Sequence, residues 1–128
     1  NRALHNRTSY QYFYTGNFSN ISPLPWMSAY HSSELPLLFG THYEFRGNST
    51  PFQWQLSYIF EDLWLSFARN SSKAPFVTYT TSDGKQETWT WPAATADQSS
   101  SKIVQWPYGQ EYMKAVDSIT ITSGCPAS

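Results

Sequence analysis

His31 is the residue of this sequence whose type and setting best suit chemistry. It stands in Ser28-Ala29-Tyr30-His31-Ser32-Ser33-Glu34-Leu35-Pro36, shortly after Ile21-Ser22-Pro23-Leu24-Pro25-Trp26. A neutral imidazole near pH 7 can take a proton from a nucleophile and return it to a leaving group. An isolated histidine is most often structural, but a loop histidine held by a proline-rich turn beyond a strand end sits where an open α/β sheet puts its functional groups. Glu34, three residues on, is on its own an ordinary turn or first-turn carboxylate. His5 and His42 are 26 and 11 residues from His31, with no metal-ligand spacing. Cys125 is the single cysteine, so neither an internal disulfide framework nor a cysteine zinc site can form. Acid–base chemistry is thus favoured over metal chemistry, and no cofactor is expected.

The elements around His31 can be read from local signals. Ser9 to Tyr14 is an aromatic-rich run ended by Thr15-Gly16-Asn17, which predicts a buried strand bounded by a turn. The two prolines after Ile21 exclude helix and central strand and predict a fixed loop bearing large apolar side chains. Thr50, Pro51 and Gln53 form a capping-box start, and Asn70 is a plausible stop, so the pattern predicts a helix from Pro51 to about Arg69. Its apolar stripe of Phe52, Leu56, Ile59, Phe60, Leu63 and Phe67 is widened by Trp54, Tyr58, Trp64, Leu65 and Ala68, predicting cover on most sides. Asp83-Gly84 between Phe76–Thr80 and Glu87–Trp91 predicts a hairpin. Trp89 and Trp91 share one face of it, either as cross-strand packing, the commoner case, or as a sugar-stacking platform. Residues 93–102 read as a surface loop, Lys102–Trp106 as a short strand and Ser118–Thr122 as a second β-prone piece.

Composition narrows the function classes. Eight basic and nine acidic residues give a net charge of -1, and no Lys/Arg run exists, which argues against nucleic acid or an anionic membrane as partner. No apolar stretch is long enough for a membrane-spanning helix. An 18% aromatic content is that of a chain built to fold. Asn-x-Ser/Thr triplets at Asn6, Asn17, Asn20, Asn48 and Asn70, with Pro following those at Asn20 and Asn48, favour a secreted glycoprotein. One strand, one nearly all-round apolar helix and one hairpin are too few elements to cover one another, so the inventory predicts part of a larger domain.

Pro25-Trp26-Met27, then His31-x-x-Glu34 and Phe39-Gly40, with Trp64-x-x-Phe67-Ala68 on the helix, resemble the C-terminal part of the type-B carboxylesterases and lipases. These are the cholinesterase-like α/β-hydrolases, and Ile21–Trp26 and His42–Thr50 look like their fungal secreted members. The resemblance is carried by residues from about Tyr10 to Pro92 and fades afterwards, so 1–92 reads as family-like and 93–128 as a variable C-terminal tail of the same domain. It implies an α/β fold, incomplete as a stand-alone domain: the last sheet strand, the catalytic-histidine loop, the long helix and a hairpin tail of an α/β-hydrolase. It further implies a Ser-His-Glu/Asp mechanism on carboxylic esters in which His31 is general base and then general acid. The nucleophile, the acid and the oxyanion donors would come from an upstream part of the same polypeptide, because no Gly-x-Ser-x-Gly occurs here and Ser49 in Gly47-Asn48-Ser49-Thr50 belongs to a sequon. By the same analogy Glu34 is a buried carboxylate that steadies the histidine loop rather than the triad acid. Trp26, Met27 and Tyr30 are candidates for the walls of the ester pocket, with core packing an equal reading for Met27. Ser32 stands where many relatives carry Gly. In an oxidising compartment Cys125 could pair with an upstream cysteine.

Two other readings stay open at this level. One is a non-catalytic aromatic-rich binding module, against which the long helix argues, since a sandwich wants about seven short strands. The other is a hydrolase-like chain that has lost catalysis. The 128 residues alone are expected to be inactive, since they lack a nucleophile.

Overall fold

The structure, a computed structural model, describes residues 8–97 and 100–123. His5, Asn6 and Cys125 lie outside the described residues. In chain order the elements are β1 (Tyr12–Tyr14), α1 (Leu35–Leu38), a 3-10 turn (His42–Glu44), α2 (Pro51–Arg69), β2 (Phe76–Thr80), β3 (Gln86–Thr90), β4 (Lys102–Trp106), β5 (Lys114–Asp117) and α3 (Ser118–Thr122). β1 pairs in parallel with β4, Tyr12 opposite Val104 and Tyr14 opposite Trp106, and β4 pairs antiparallel with β5. β2 and β3 form a separate antiparallel hairpin.

The helix α2 has the bounds its sequence predicts. Thr50 Oγ1 accepts from the Gln53 backbone N–H (3.1 Å) and Gln53 Oε1 accepts from the Thr50 N–H (3.2 Å), so both halves of the capping box are made. Leu56, Ile59, Phe60 and Leu63 recur at helical period and are buried to within 1% exposure. The opposite side is less covered than expected: Tyr58, Leu65 and Phe67 are exposed.

What α2 packs on is largely aromatic. The Trp106 ring, fully buried at the end of β4, lies 4.2 Å from Phe60, 4.9 Å from Trp91 and 5.7 Å from both Tyr12 and Trp64, centroid to centroid. Such tilted and edge-to-face contacts suit the ring quadrupoles. Trp91 falls just after β3, is 4% exposed and donates its indole N–H to the Gln11 carbonyl (3.2 Å), so it packs into the core and not across the hairpin, and it is not an open sugar-stacking surface. The segment after Pro92 therefore supplies the centre of the core.

The first strand is shorter and less buried than Ser9 to Tyr14 predicts: it is Tyr12–Tyr14, half-buried, with Phe13 exposed. Two further details differ from the sequence expectations. The second C-terminal strand is Lys114–Asp117, and Ser118–Thr122 is a helical turn despite its β-branched residues. The β4 ladder ends at the Lys102–Asp117 pair, which an ion pair of 2.5 Å closes, and beyond it the Thr120 and Thr122 hydroxyls bond back to the Asp117 and Ser118 carbonyls. Ladder register here outweighs local propensity. Secondly, β3 begins at Gln86, because Thr80 pairs with Gln86 and the turn spans 81–85, with Gly84 at φ +81°.

Candidate active site

β1 delivers the chain towards a turn in which Thr15 is tied to the neighbouring end of β4: its N–H donates to the Trp106 carbonyl (2.6 Å) and its hydroxyl to that of Pro107 (2.7 Å). Tyr14 folds back over Gly16, where a Cβ would collide with the phenol ring and oxygen, so glycine suits this turn. The Tyr14 hydroxyl is buried with no partner among the described residues, and burial pushes its pKa above the usual phenol range.

The proline-rich loop follows. The Ser22 hydroxyl donates to the Ser28 carbonyl (2.7 Å) and the Tyr30 hydroxyl to the Ile21 carbonyl (3.2 Å), closing 21–30 upon itself. Ser28 and Ser32 sit at φ +45° and +68°. The left-handed region costs an L residue about 1–2 kcal/mol, so the backbone on both sides of His31 is held out of its preferred wells. Ser32 thus adopts the conformation that glycine takes readily.

His31 is exposed beside an open cleft of about 360 Å³, shared with Tyr12, Tyr14, Tyr30 and Glu34. Its Nδ1 is 2.7 Å from the Ser32 hydroxyl. Glu34 is half-buried at the start of α1 and accepts from the Tyr12 hydroxyl (3.3 Å). Burial, then the Glu34 charge, then this hydrogen bond raise the Tyr12 pKa. The described hydrogen bonds do not join His31 to Glu34; each has a different partner. Of the three pocket candidates only Tyr30 lines the cleft. Met27 is half-buried elsewhere, and Trp26, 78% exposed, is neither core nor cleft wall in the described chain.

Asn17, Asn48 and Asn70 are exposed, and Asn70 Oδ1 accepts from the Ser72 N–H and hydroxyl of its own triplet. Asn20 must be corrected. It is 4% exposed, and its amide nitrogen, the atom a glycan would take, donates to the His42 carbonyl (3.0 Å), the Ser49 hydroxyl (3.1 Å) and the Gly47 carbonyl (3.4 Å). In the folded chain it is a structural amide.

Asn20 belongs to a buried polar cluster missing from the sequence reading. Gln53 Nε2 donates to Asn20 Oδ1 (2.8 Å), and His42 Nδ1 lies 2.6 Å from Ser49 Oγ, the imidazole edge meeting Trp54 at 4.5 Å. A polar Gln53 and Ser57 one turn apart on an apolar helix were the available signal. Fully buried, His42 has its pKa lowered from 6.5 by desolvation. The unfolded chain then binds that proton more readily than the folded one. The stability His42 confers is complete above about pH 6.5 and is lost as pH falls through that value towards the lower folded-state pKa. Urea midpoints taken between about pH 7.5 and 5 should fall, and His42→Gln should flatten the slope; a wild-type midpoint constant over that range refutes the assignment.

Among the described residues no three His, Cys, Asp or Glu side chains cluster as metal ligands, and no helix is long and apolar enough to cross a membrane. Residues 2–119 match the Carboxylesterase family. The chain is 43% identical to the "Chlorogenic acid esterase" of Aspergillus niger over 129 aligned positions, covering 98% of this chain and 25% of that protein. It is 45% identical to "Secreted lipase 5" of Gibberella zeae over 104 positions, 81% of this chain and 17% of that protein. The chain thus spans a quarter or less of the length of these relatives. No solved structure matches it significantly. The match extends past Pro92 through β4 and β5, the strands that complete the core around Trp106, and with the His31 loop and α2 it covers nearly the whole chain: the chain belongs to the carboxylesterase family.

Proposed function

We propose that this chain is the C-terminal part of a secreted carboxylic ester hydrolase of α/β-hydrolase fold, and that His31 is its general base and acid. The observation that carries the reading is an exposed imidazole on a strained turn at the mouth of an aromatic cleft, with Nδ1 engaged and Nε2 free of any described bond. In the tautomer that carries its proton on Nδ1, the one a triad needs, Nε2 is the basic nitrogen. In the complete enzyme an upstream carboxylate takes the place of Ser32 at Nδ1. His31 Nε2 removes the proton of an upstream serine as that oxygen attacks the ester carbonyl, then gives it to the departing alcohol. Water, deprotonated by the same nitrogen, releases the acid and restores the serine. Upstream backbone N–H groups hold the oxyanion.

The cleft walls of Tyr12, Phe13 and Tyr30 suit an apolar or aromatic ester group. Secretion is supported by the name of the Gibberella zeae relative and by the exposed Asn17, Asn48 and Asn70, which with Asn6 are the proposed glycan acceptors. Cys125 is proposed to pair with an upstream cysteine. The test is to express the complete open reading frame and assay a chromogenic ester before and after a serine-directed fluorophosphonate. Turnover abolished by the reagent supports the reading; a frame without a Gly-x-Ser-x-Gly serine, or turnover indifferent to the reagent, sinks it.

Glu34, bonded to Tyr12, steadies the loop and does not act as the triad acid. Glu34→Gln keeps an acceptor for the Tyr12 hydroxyl, so kcat/KM should fall about tenfold or less, against about 10^4-fold for loss of a true triad acid. An equal loss overturns this role.

A further inference from the structure

We propose that α2 is the positioning helix of the catalytic loop, with buried Gln53 and Ser57 fixing the two ends of the segment that carries His31. The inference rests on the proposed role of His31. Gln53 holds the entry: its side-chain amide donates to Asn20 Oδ1 (2.8 Å), eleven residues before His31. Ser57 holds the exit: its hydroxyl donates to the Leu37 carbonyl (2.5 Å), six residues after it. One helical turn separates the two, so they share a face and act as a rigid pair.

Between those anchors the half of the loop before His31 has little else to position it. Pro23, Leu24, Pro25 and Trp26 are exposed, and the bonds Ser22–Ser28 and Tyr30–Ile21 tie that half only to itself. After His31 the Tyr12–Glu34 bond adds a tie to β1, so the placement of the loop comes from its two ends and from that bond. The Tyr30 hydroxyl passes the entry anchor on directly, since its acceptor Ile21 is the residue after Asn20 and is 1% exposed.

A polar side chain buried in an apolar helix is unfavourable unless bonded, and an apolar residue at either position would avoid the penalty. Both are nevertheless polar and both bonded, the arrangement that specifies one geometry. Gln53 also closes the capping box with its other amide atom, so the start of α2 and the start of the loop share one side chain. One further turn along, Glu61 extends the same stripe. Its Oε1 accepts from the Ser57 hydroxyl (3.3 Å) and lies beside Gly40, whose φ of +64° favours glycine at the exit turn.

The test uses the complete enzyme with Ser57→Ala, Gln53→Leu and, as a control for general destabilisation, Ile59→Val. Hydrogen exchange by mass spectrometry reads peptides 21–38 and 76–90, and steady-state kinetics reads kcat and KM. Ser57→Ala and Gln53→Leu should raise exchange in 21–38 while leaving 76–90 unchanged, and should lower kcat about 10- to 100-fold with KM within about twofold, since small displacements of a catalytic group have effects of this size. Ile59→Val should lower Tm without that kcat loss. Unchanged exchange in 21–38 overturns the proposal. So does raised exchange with kcat intact while His31→Ala is inactive, and so does an equal kcat loss in Ile59→Val. If His31→Ala itself retains turnover, the catalytic reading has failed, and exchange alone decides whether the two anchors hold the loop.

Discussion

Replacing His31 by alanine in the complete enzyme is expected to lower kcat by about 10^4- to 10^6-fold while leaving the fold intact. The first half follows from the role of the imidazole: without it the serine keeps its proton and the alcohol leaves unprotonated, so both halves of the cycle lose their proton carrier. What remains is catalysis from binding and the oxyanion site. The second half follows from where His31 lies. The side chain is exposed, its described bond is to neighbouring Ser32, and the core contains none of it. The checking measurement is paired: turnover of a chromogenic ester, and far-UV circular dichroism with a urea midpoint. Loss of activity together with a lowered midpoint assigns His31 a structural role. Retained turnover removes it from the mechanism.

Trp106→Ala should destabilise the chain by about 3–5 kcal/mol, a large share of the 5–15 kcal/mol by which domains are usually stable. Trp106 is fully buried, its ring is packed by four other aromatic rings and it lies opposite Tyr14 in the parallel ladder. Truncation leaves a cavity that neighbouring rings on β1, on α2 and just after β3 cannot collapse to fill. Trp106→Phe, which keeps most of the volume and drops an indole N–H that has no described partner, should cost clearly less. Denaturant midpoints at constant m decide the matter. A loss below about 1 kcal/mol for Trp106→Ala would mean that the segment after Pro92 is peripheral to the core.

Local signals made the helix and the hairpin legible. A capping box, a proline at the first helical position and an Asp-Gly turn act within a few residues of themselves, and each fixed a boundary to within one residue. The site was legible to the extent that His31 lies on a shaped loop at the end of a strand. What stayed hidden depends on long-range partners. Asn20 reads as a sequon until Gln53, 33 residues away, accounts for its side chain. Gln53 reads as a cap and nothing more, since the sequence has no way of showing that its second amide atom reaches another loop. Ser118–Thr122 has the composition of a strand, but strand pairing with β4 is used up by Lys114–Asp117. Nor does aromatic content alone distinguish the buried Trp106 from the exposed Trp26.

The parallel pairing of β1 with β4 also sets a schedule for biosynthesis. Tyr14 meets Trp106 in the ladder, so 92 residues must leave the ribosome after the first strand before its partner exists. At about 5–20 residues per second that interval is roughly 5–18 s. Throughout it Tyr12 and Tyr14 have neither ladder nor Trp106 to cover them, while α2 and the hairpin, whose backbone hydrogen bonds are local, can already form. The nascent chain therefore carries an uncovered strand edge rich in tyrosine for seconds at a time. That is the form of the protein on which a chaperone would have most to hold, and on which crowding with other nascent copies would be most damaging.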